Sequence, residues 1–368
     1  MSAFILPPVN AEAINTSDAR FGIADAMLVA SSVPELPPSA YVAGTTYANG
    51  AQVNTGTVGQ VITVWQSLQP ANTGHAPLSS PAWWKKIGET FADWTPGTWA
   101  EGDRVIRAVA NLHTVFQRLA PGGSDSTAPE LDATKWARVG TTNRWAMFDM
   151  LSAESTAAIS PLVIKLSPGR ISGLALLAAD VGNVHIEMRS DGALVYEAFD
   201  TFDSTPVGSW DDYFFAEFSA KSNVIRLDLP TFTFGEITIT ITSASGFITL
   251  GKVIVGTGQA LGGMLQSPRV RLKSYSTVAR DDFGDITGIK RRKSVSLVSA
   301  QLMVEKAVVL RAKAALDAAR TTPCVFQGLS TDTGAYAELL TFLAICTDSD
   351  VDPAHAESAL INVELEGI

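Results

Sequence analysis

Four histidines, at 75, 113, 185 and 355, are the residues best suited to acid–base or metal chemistry in this chain. None has a second histidine four residues away or a cysteine close by, so the spacing of a zinc site is missing and each reads as a surface or hydrogen-bonded histidine. No Gly-x-Ser-x-Gly elbow and no Gly-x-x-x-x-Gly-Lys-Ser/Thr phosphate loop occurs. Gly256-Thr-Gly258-Gln-Ala-Leu-Gly262-Gly263 follows a strand pattern as a dinucleotide turn does. Its third glycine is one residue late, however, and Ser267-Pro268 stands where the helix should run, so it reads as a glycine-rich β-turn or a subunit contact. Asp281-Asp282-Phe283-Gly284-Asp285 groups three carboxylates around a turn without the spacing of a calcium loop. Asp211-Asp212, beside Trp210 and Tyr213, would be a glycosidase pair only if both carboxyls converged, and neighbours on an extended chain diverge. Cys324 and Cys346 are too few for a disulfide framework and lack metal-ligand spacing. One bridge is possible, but two buried thiols in a protein assembled in a reducing cytoplasm is the better reading. The expectation is a protein without cofactor, metal or catalytic centre.

What the chain does carry is aromatic residues at repeated spacing. Tyr41, Tyr47, Gly50 and Val53 lead to Val64-Trp65-Gln66-Ser67-Leu68 and then to Trp84-Lys85-Lys86-Ile87-Gly88. Trp94, Trp99, Gly102 and Val105 lead to Val115-Phe116-Gln117-Arg118-Leu119 and then to Trp136-Ala137-Arg138-Val139-Gly140. Gly50 to Trp84 and Gly102 to Trp136 both span 34 residues, so the copies are offset by 52. Such self-similarity marks one supersecondary unit used twice. Each unit has only about fifty residues and no cysteine, so its aromatic side chains must supply the core. The pattern predicts three short strands per copy: one entering Val53 or Val105, one over 61–68 or 113–119, and one led by Trp84 or Trp136.

These blocks resemble the small β-modules of carbohydrate-binding module families 5 and 12, with their Tyr-x-x-Gly-x-x-Val opening, aromatic middle strand and closing tryptophan. The resemblance implies that Tyr47, Trp65, Trp83, Trp99 and Phe116 form a platform for a sugar's apolar face. The competing reading is that most of them fill two very small cores. Trp83 and Trp84 should point to opposite sides of an extended segment, so a buried Trp84 leaves Trp83 as the exposed contact.

With 368 residues the chain has room for two or three domains, and 46% hydrophobic against 17% charged residues describes a packed protein. A net charge of −10 argues against general nucleic-acid binding. Its distribution is uneven. Arg269 to Arg320 holds twelve Lys/Arg against five Asp/Glu, whereas Thr347 to Ile368 holds six carboxylates and no Lys or Arg. Complementary faces of this kind suit contacts between subunits, as well as a solvated surface. The basic run Lys290-Arg291-Arg292-Lys293 has no interleaved aromatics for nucleic acid and reads as a blocked edge strand or a subunit contact. No signal peptide and no membrane span is expected.

From the N-terminus, residues 1–40 are proline-punctuated and read as an arm, with one short strand or helical turn over Ile23–Val29. The two aromatic modules fill 41–90 and 91–140, and no flexible linker separates them from the next domain. Over 141–265 the alternation predicts strands at Leu162–Leu166, Gly173–Ala178, Val184–Arg189, Leu194–Phe199, Val224–Leu229, Glu236–Thr242 and Phe247–Val255, a jelly-roll-like β-sandwich. Over 266–368 an α+β assembly region is expected to pack on it, with a strand at Ile289–Val298, one long helix from Ala300 to Arg320, a strand at Cys324–Phe326, a strand or short helix at Leu339–Ile345 and a closing strand at Ile361. The fold class is thus mainly β.

The order of these pieces resembles a family of virion proteins. Ala26-Met27-Leu28-Val29 and Ser31-Ser32-Val33 precede the repeat. Ser80-Pro81-Ala82-Trp83-Trp84 and Gly140-Thr-Thr-Asn143-Arg144-Trp145-Ala-Met-Phe148-Asp149 come next, with Tyr275-Ser276, Phe283-Gly284 and Arg291 to Lys293 ahead of a helix. In that order they are similar to tail-tip and baseplate proteins of long-tailed bacteriophages, of the distal-tail type. The resemblance implies a structural subunit of the virion tail. It would form a ring or trimer with its own copies, contact tube, hub or fibre proteins, and present the modules outward. A host-glycan-binding receptor protein without catalytic activity is the alternative.

Overall fold

The computed structural model describes residues 2–9, 22–109, 112–149, 154–202, 222–265, 268–328, 339–353 and 357–368; the Asp211-Asp212 pair, Ser267 and His355 lie outside them. The fold is mainly β, with one α-helix among the described residues.

The segment read as an arm is divided between two bodies. Its first strand, β1 (Ser2–Leu6), belongs to a barrel at the other end of the chain, and its second, β2 (Leu28–Ser31), comes after a helical turn at Asp25–Met27 and joins the edge of the sandwich.

The first module is a three-stranded sheet of β3 (Gln52–Thr55), β4 (Ile62–Ser67) and β5 (Trp84–Thr90). The second contains β6 (Gly97–Trp99), β7 (Arg104–Val109), β8 (Leu112–Arg118), β9 (Gly123–Asp125) and β10 (Trp136–Thr141). Of these, β7, β8 and β10 form the equivalent sheet, and β6 pairs with β9 in a small ribbon.

Among the described residues the sandwich has eight strands: β11 (Thr156–Ile159), β12 (Leu162–Leu166), β13 (Gly173–Asp180), β14 (Asn183–Ser190), β15 (Ala193–Thr201), β16 (Val224–Arg226), β17 (Gly235–Thr242) and β18 (Phe247–Gly256). They lie in two antiparallel sheets of order β11-β18-β13-β16 and β15-β14-β17-β12, with β2 extending the second. That is jelly-roll order. All seven predicted strands are present, and β11 is an eighth that the alternation did not reveal. Ile237, Ile239 and Ile241 on β17 and Ile186 and Met188 on β14 face a core shared with Leu174, Leu176, Leu250 and Val253 of the opposite sheet.

β13 and β18 are buried along nearly their whole length, because their sheet is covered on both sides. One face lines the sandwich core. The other places Ala175, Leu177 and Ile254 against Leu6, Val325 and Leu343 of the barrel. The two bodies are therefore joined by an apolar seam.

The C-terminal body contains β19 (Gln259–Met264), β20 (Arg269–Ser274), β21 (Thr277–Arg280), β22 (Ile286–Lys290), β23 (Ser294–Glu305), the helix Val309–Ala318, β24 (Cys324–Gln327), β25 (Thr341–Asp352) and β26 (Ser358–Gly367). Its sheet runs β19-β1-β24-β25-β26-β23, and β23 pairs back onto β19, so six strands close into a barrel. Ala312, Ala315 and Leu316 of the helix share its core with Leu302, Val304, Phe326, Ile361 and Val363.

Two expectations for this region are corrected. The long helix from Ala300 to Arg320 is a strand as far as Glu305 and a helix only from Val309 to Ala318. Val298, Ala300, Leu302 and Val304 are buried and alternate with Gln301, Met303 and Glu305, a period of two that outweighs the helical propensity of the residues. The strand expected over Ile289–Val298 is broken at 291–293. There the Ser276 hydroxyl accepts from the Arg292 N–H (2.9 Å) and donates to its carbonyl (3.2 Å), in place of a backbone ladder.

The glycine-rich stretch after β18 makes room for β1. Ala3 pairs with Gly262 and Ser2 with Gly263, and a Cβ on Gly256 would collide with the carbonyl oxygen of Pro7.

Candidate functional surfaces

The two modules share main-chain hydrogen bonds at equivalent positions. Gly50 N–H donates to Ser67 O (2.8 Å) and Gly102 N–H to Arg118 O (3.0 Å). Leu68 N–H donates to Trp83 O (2.9 Å) and Leu119 N–H to Lys135 O (2.7 Å); Trp84 N–H reaches Ser80 O (3.1 Å) and Trp136 N–H reaches Asp132 O (3.0 Å). Gly50 and Gly102 both sit in the left-handed region, at φ +84° and +87°, which is why both copies need glycine there.

Each module closes on a tryptophan, Trp84 or Trp136, of which only 2% is exposed. Around Trp84 stand Tyr47 (ring centroids 5.2 Å) and Tyr41 (5.9 Å), and Trp99 meets Trp136 edge-on at 5.9 Å. The five residues expected to form one sugar platform are thus separated. Trp99 and Phe116 are corrected to core residues: with Val105, Trp94 and Trp136 they fill the second module, and a buried ring offers no face to a ligand. Tyr47 is half-buried and its hydroxyl bridges the backbone of Val42, accepting from the N–H at 2.8 Å. Trp65 is half-buried and donates its indole N–H to Thr55 Oγ1 (2.8 Å). Trp83 is half-buried and lies flat on His75, centroids 3.9 Å apart at 12°. Trp84 is inside, and its neighbour Trp83 is covered in part by His75 instead of standing fully exposed.

The modules are bolted to the sandwich through a buried polar junction that sequence reading missed, because its residues are scattered over the chain. His113, on β8, exposes 11% of its side chain; Nδ1 faces Glu35 Oε1 at 3.0 Å and Nε2 faces Asp25 Oδ1 at 2.9 Å. The ring's flat face stacks on Trp145 at 4.2 Å. Glu35 also accepts from Thr142 Oγ1 at 2.9 Å, and Arg144 Nε donates to Val33 O at 2.7 Å. Nearby, Lys252 Nζ donates to the carbonyls of Ala146 and Glu154, both at 2.9 Å. Burial lowers its pKa to about 8, against the pull of Asp149 and Glu154. The arrangement holds segments together. The two carboxylates meet opposite edges of the His113 ring, so they cannot converge on one ion.

The third surface is an arm. β21 and β22 form a two-stranded hairpin continuing β20 and β23, and the chain from 271 to 294 is exposed apart from half-buried Ser276. Leu272 (74% exposed), Ile286 (54%), Ile289 (57%) and Phe283 at the tip (92%) have no apolar cover. Thr277, Val278, Ala279, Gly288, Ile289 and Lys290 line a shallow open depression on it. Lys290, Arg291, Arg292 and Lys293 lie along the arm's return, all exposed. At its base Lys273 reaches Glu366 (3.3 Å), and Tyr275 donates to the same carboxylate, holding it below the ordinary range. Asp281 folds its side chain onto the N–H groups of Phe283 (3.0 Å) and Asp285 (2.8 Å), which makes the acidic trio a turn device.

Cys324 and Cys346 are both free and buried. Burial, with a contribution from Cys346, pushes the Cys324 thiol up to about 12, and burial raises Cys346 as well, so neither is a reactive thiolate. No helix of the described residues is long and apolar enough to cross a membrane. No family model matches the chain, and no curated protein is similar to it.

Proposed function

We propose that this chain is a structural subunit of a long-tailed bacteriophage tail tip or baseplate. In this reading it associates with its own copies, as a ring or trimer, and with tube, hub or fibre proteins in the virion tail. The barrel and sandwich form the assembling body and the aromatic modules face outward. The observation that carries the assembly reading is the uncovered hairpin. An isolated two-stranded hairpin is marginal in water, and one with Leu272, Ile286, Ile289 and Phe283 uncovered is a surface awaiting a partner. Charge supports a second copy as that partner. Residues 269–293 carry eight Lys/Arg against three Asp, while Asp348, Asp350, Asp352 and Glu364 are exposed on β25 and β26. Placement in a phage tail rests on the resemblance of the ordered motifs.

Light scattering behind a sizing column, with negative-stain imaging, tests it. The full chain should give a defined closed oligomer, and replacing 276–292 by a two-glycine turn should return a folded monomer. A monomer at all concentrations would remove the reading.

The Trp83–His75 plate favours a second reading, a glycan-binding role for the first module. Retention on a glycan array that Trp83→Ala abolishes would support it; an array on which the wild-type chain binds nothing would end it.

A further inference from the structure

We propose that the outer face of the β14–β15 hairpin is a divalent transition-metal site, best suited to Zn²⁺, with His185, Glu187 and Glu197 as its protein ligands. It stands apart from the assembly arm and from the modules, so it does not depend on the reading above.

On β14, Ile186 and Met188 point into the sandwich and are fully buried, which turns His185 and Glu187 outward. β15 pairs with β14 so that Glu197 stands directly opposite Glu187, and Phe199 opposite His185. Each of the three offers one donor atom, and these atoms all lie within 4.8 Å of one another. Donors about 2.1 Å from a tetrahedral zinc lie about 3.4 Å apart, so small side-chain adjustments bring the set onto one ion. His185 Nε2 is already 2.9 Å from Glu197 Oε1.

Two further observations set this trio apart from a chance surface cluster. Phe199 stacks on the imidazole at 4.2 Å and 4°, fixing the ring plane so that its Nε2 edge faces the carboxylates. And two like charges directly opposite across a strand pair repel, a cost that needs an opposing charge. On the other flank, β17 sets Thr240 beside His185 and Thr238 beside Glu187, neither of them cationic. Lys165, the next cation across, pairs with Glu236 at 2.6 Å. Arg189 reaches Glu187 at 3.1 Å but is nearly half exposed, and among the described residues no cation beyond His185 pairs with Glu197. A bound dication neutralises both carboxylates at once. An imidazole nitrogen that ligates a metal cannot also hold a proton, so protons compete with the ion and affinity falls on acidification. Three protein donors leave one position open to water or to a donor from another molecule.

The test is titration of the metal-stripped full chain, without a polyhistidine tag, with ZnCl₂ by calorimetry, together with Co²⁺ absorption. One saturable site is expected, with a tetrahedral Co²⁺ band. His185→Ala and Glu197→Gln should each weaken binding ~10-fold or more, because losing even an outer partner of a metal site costs about 10–100-fold. Arg189→Gln should bind at least as tightly as wild type, since it frees Glu187. All of these positions are at the surface, and far-UV circular dichroism confirms that each variant folds. A wild-type chain that binds no Zn²⁺ at micromolar concentrations overturns the proposal. So does Zn²⁺ binding equally tight in His185→Ala and Glu197→Gln.

Discussion

Ser67 and Arg118 occupy the same place in the two modules, each accepting at its carbonyl from the turn glycine, yet what they bury is different. In the first module Ser67 Oγ accepts from Asn72 Nδ2 at 3.0 Å, a neutral pair. In the second, Arg118 and Asp125 form a contact ion pair, both about 97% or more buried. Asp125 also takes Lys135 Nζ at 2.9 Å and the Trp136 indole N–H at 3.1 Å. The substitutions are coupled. Lys135 stands where the first module has Trp83, so the position that displays an aromatic ring in one copy supplies a cation to a buried acid in the other. The main-chain hydrogen bonds match between the copies, and this polar site and its neighbour are among the places where they differ. One module kept a surface ring, and the other spent that position on internal charge balance.

Alanine at the closing tryptophans should have the largest effect, because it tests what the copies share. Trp84→Ala and Trp136→Ala should each cost about 3–5 kcal/mol. The second should be the more damaging, since the Trp136 indole donates to the buried Asp125 carboxylate, whereas that of Trp84 donates to the neutral His75 carbonyl. Urea denaturation read at the indole N–H signal of a second tryptophan in the altered module, Trp65 in the first and Trp99 in the second, measures each loss. Next comes the difference in what is buried. Asp125→Ala leaves Arg118 as an unpaired buried cation and should cost about 3–5 kcal/mol, against about 1–3 kcal/mol for Asn72→Ala. Equal losses would mean that the ion pair is no more critical than the neutral one.

Gly50→Ala and Gly102→Ala should cost about 1–2 kcal/mol each, by the left-handed penalty alone, since no atom lies within 4 Å of the added Cβ at either site. Acid should then distinguish the copies in the opposite way. Glu130 is bonded to Arg107 at 2.8–3.1 Å, which holds its carboxyl below the usual range, whereas the first module has exposed Leu78 at that place. A depressed carboxylate contributes above its unfolded value of about 4.3 and loses that contribution as pH falls through the lower folded value. Below pH ~4 the Trp136 signal should therefore report loss of about 1 kcal/mol that the Trp84 signal does not show, and Glu130→Gln should remove most of the difference, Asp132 being a second carboxyl of this module held low, by Thr134. Smallest of all, Trp83→Ala should change the first module's stability by less than about 1 kcal/mol, as befits a half-buried ring on the outer side.

The repeat was legible because its markers are local: a glycine forced to positive φ, and a tryptophan that must close a core too small for anything else. The jelly-roll strands were legible for a related reason, since Ile237, Ile239 and Ile241 alternate with threonines over a single buried face. Which aromatics are core and which are surface was not legible. Trp99 and Trp83 look alike as residue types, and only the position of the closing tryptophan tells them apart. The boundary between strand and helix was not legible, because Ala300 to Glu305 is rich in residues that suit either structure and only their burial shows that the period of two prevails. The histidines illustrate the limit most plainly. Each is alone in sequence, yet His113 meets Asp25 and Glu35 from 88 and 78 residues away, and His185 meets Glu197 across a hairpin. Spacing motifs detect ligands on one element; strand register brings together ligands on two.

The strand at Ser2–Leu6, wedged between Gln259–Met264 and Cys324–Gln327, imposes an order of events on synthesis. The ribosome delivers this strand before both of its neighbours, which emerge some 250 to 320 residues later. Until then the modules and the jelly roll can mature while the ring of six strands stays open. A polypeptide whose translation stops early would therefore lack the closed body from which the basic hairpin projects. Closure of the barrel is thereby coupled to synthesis of its late strands.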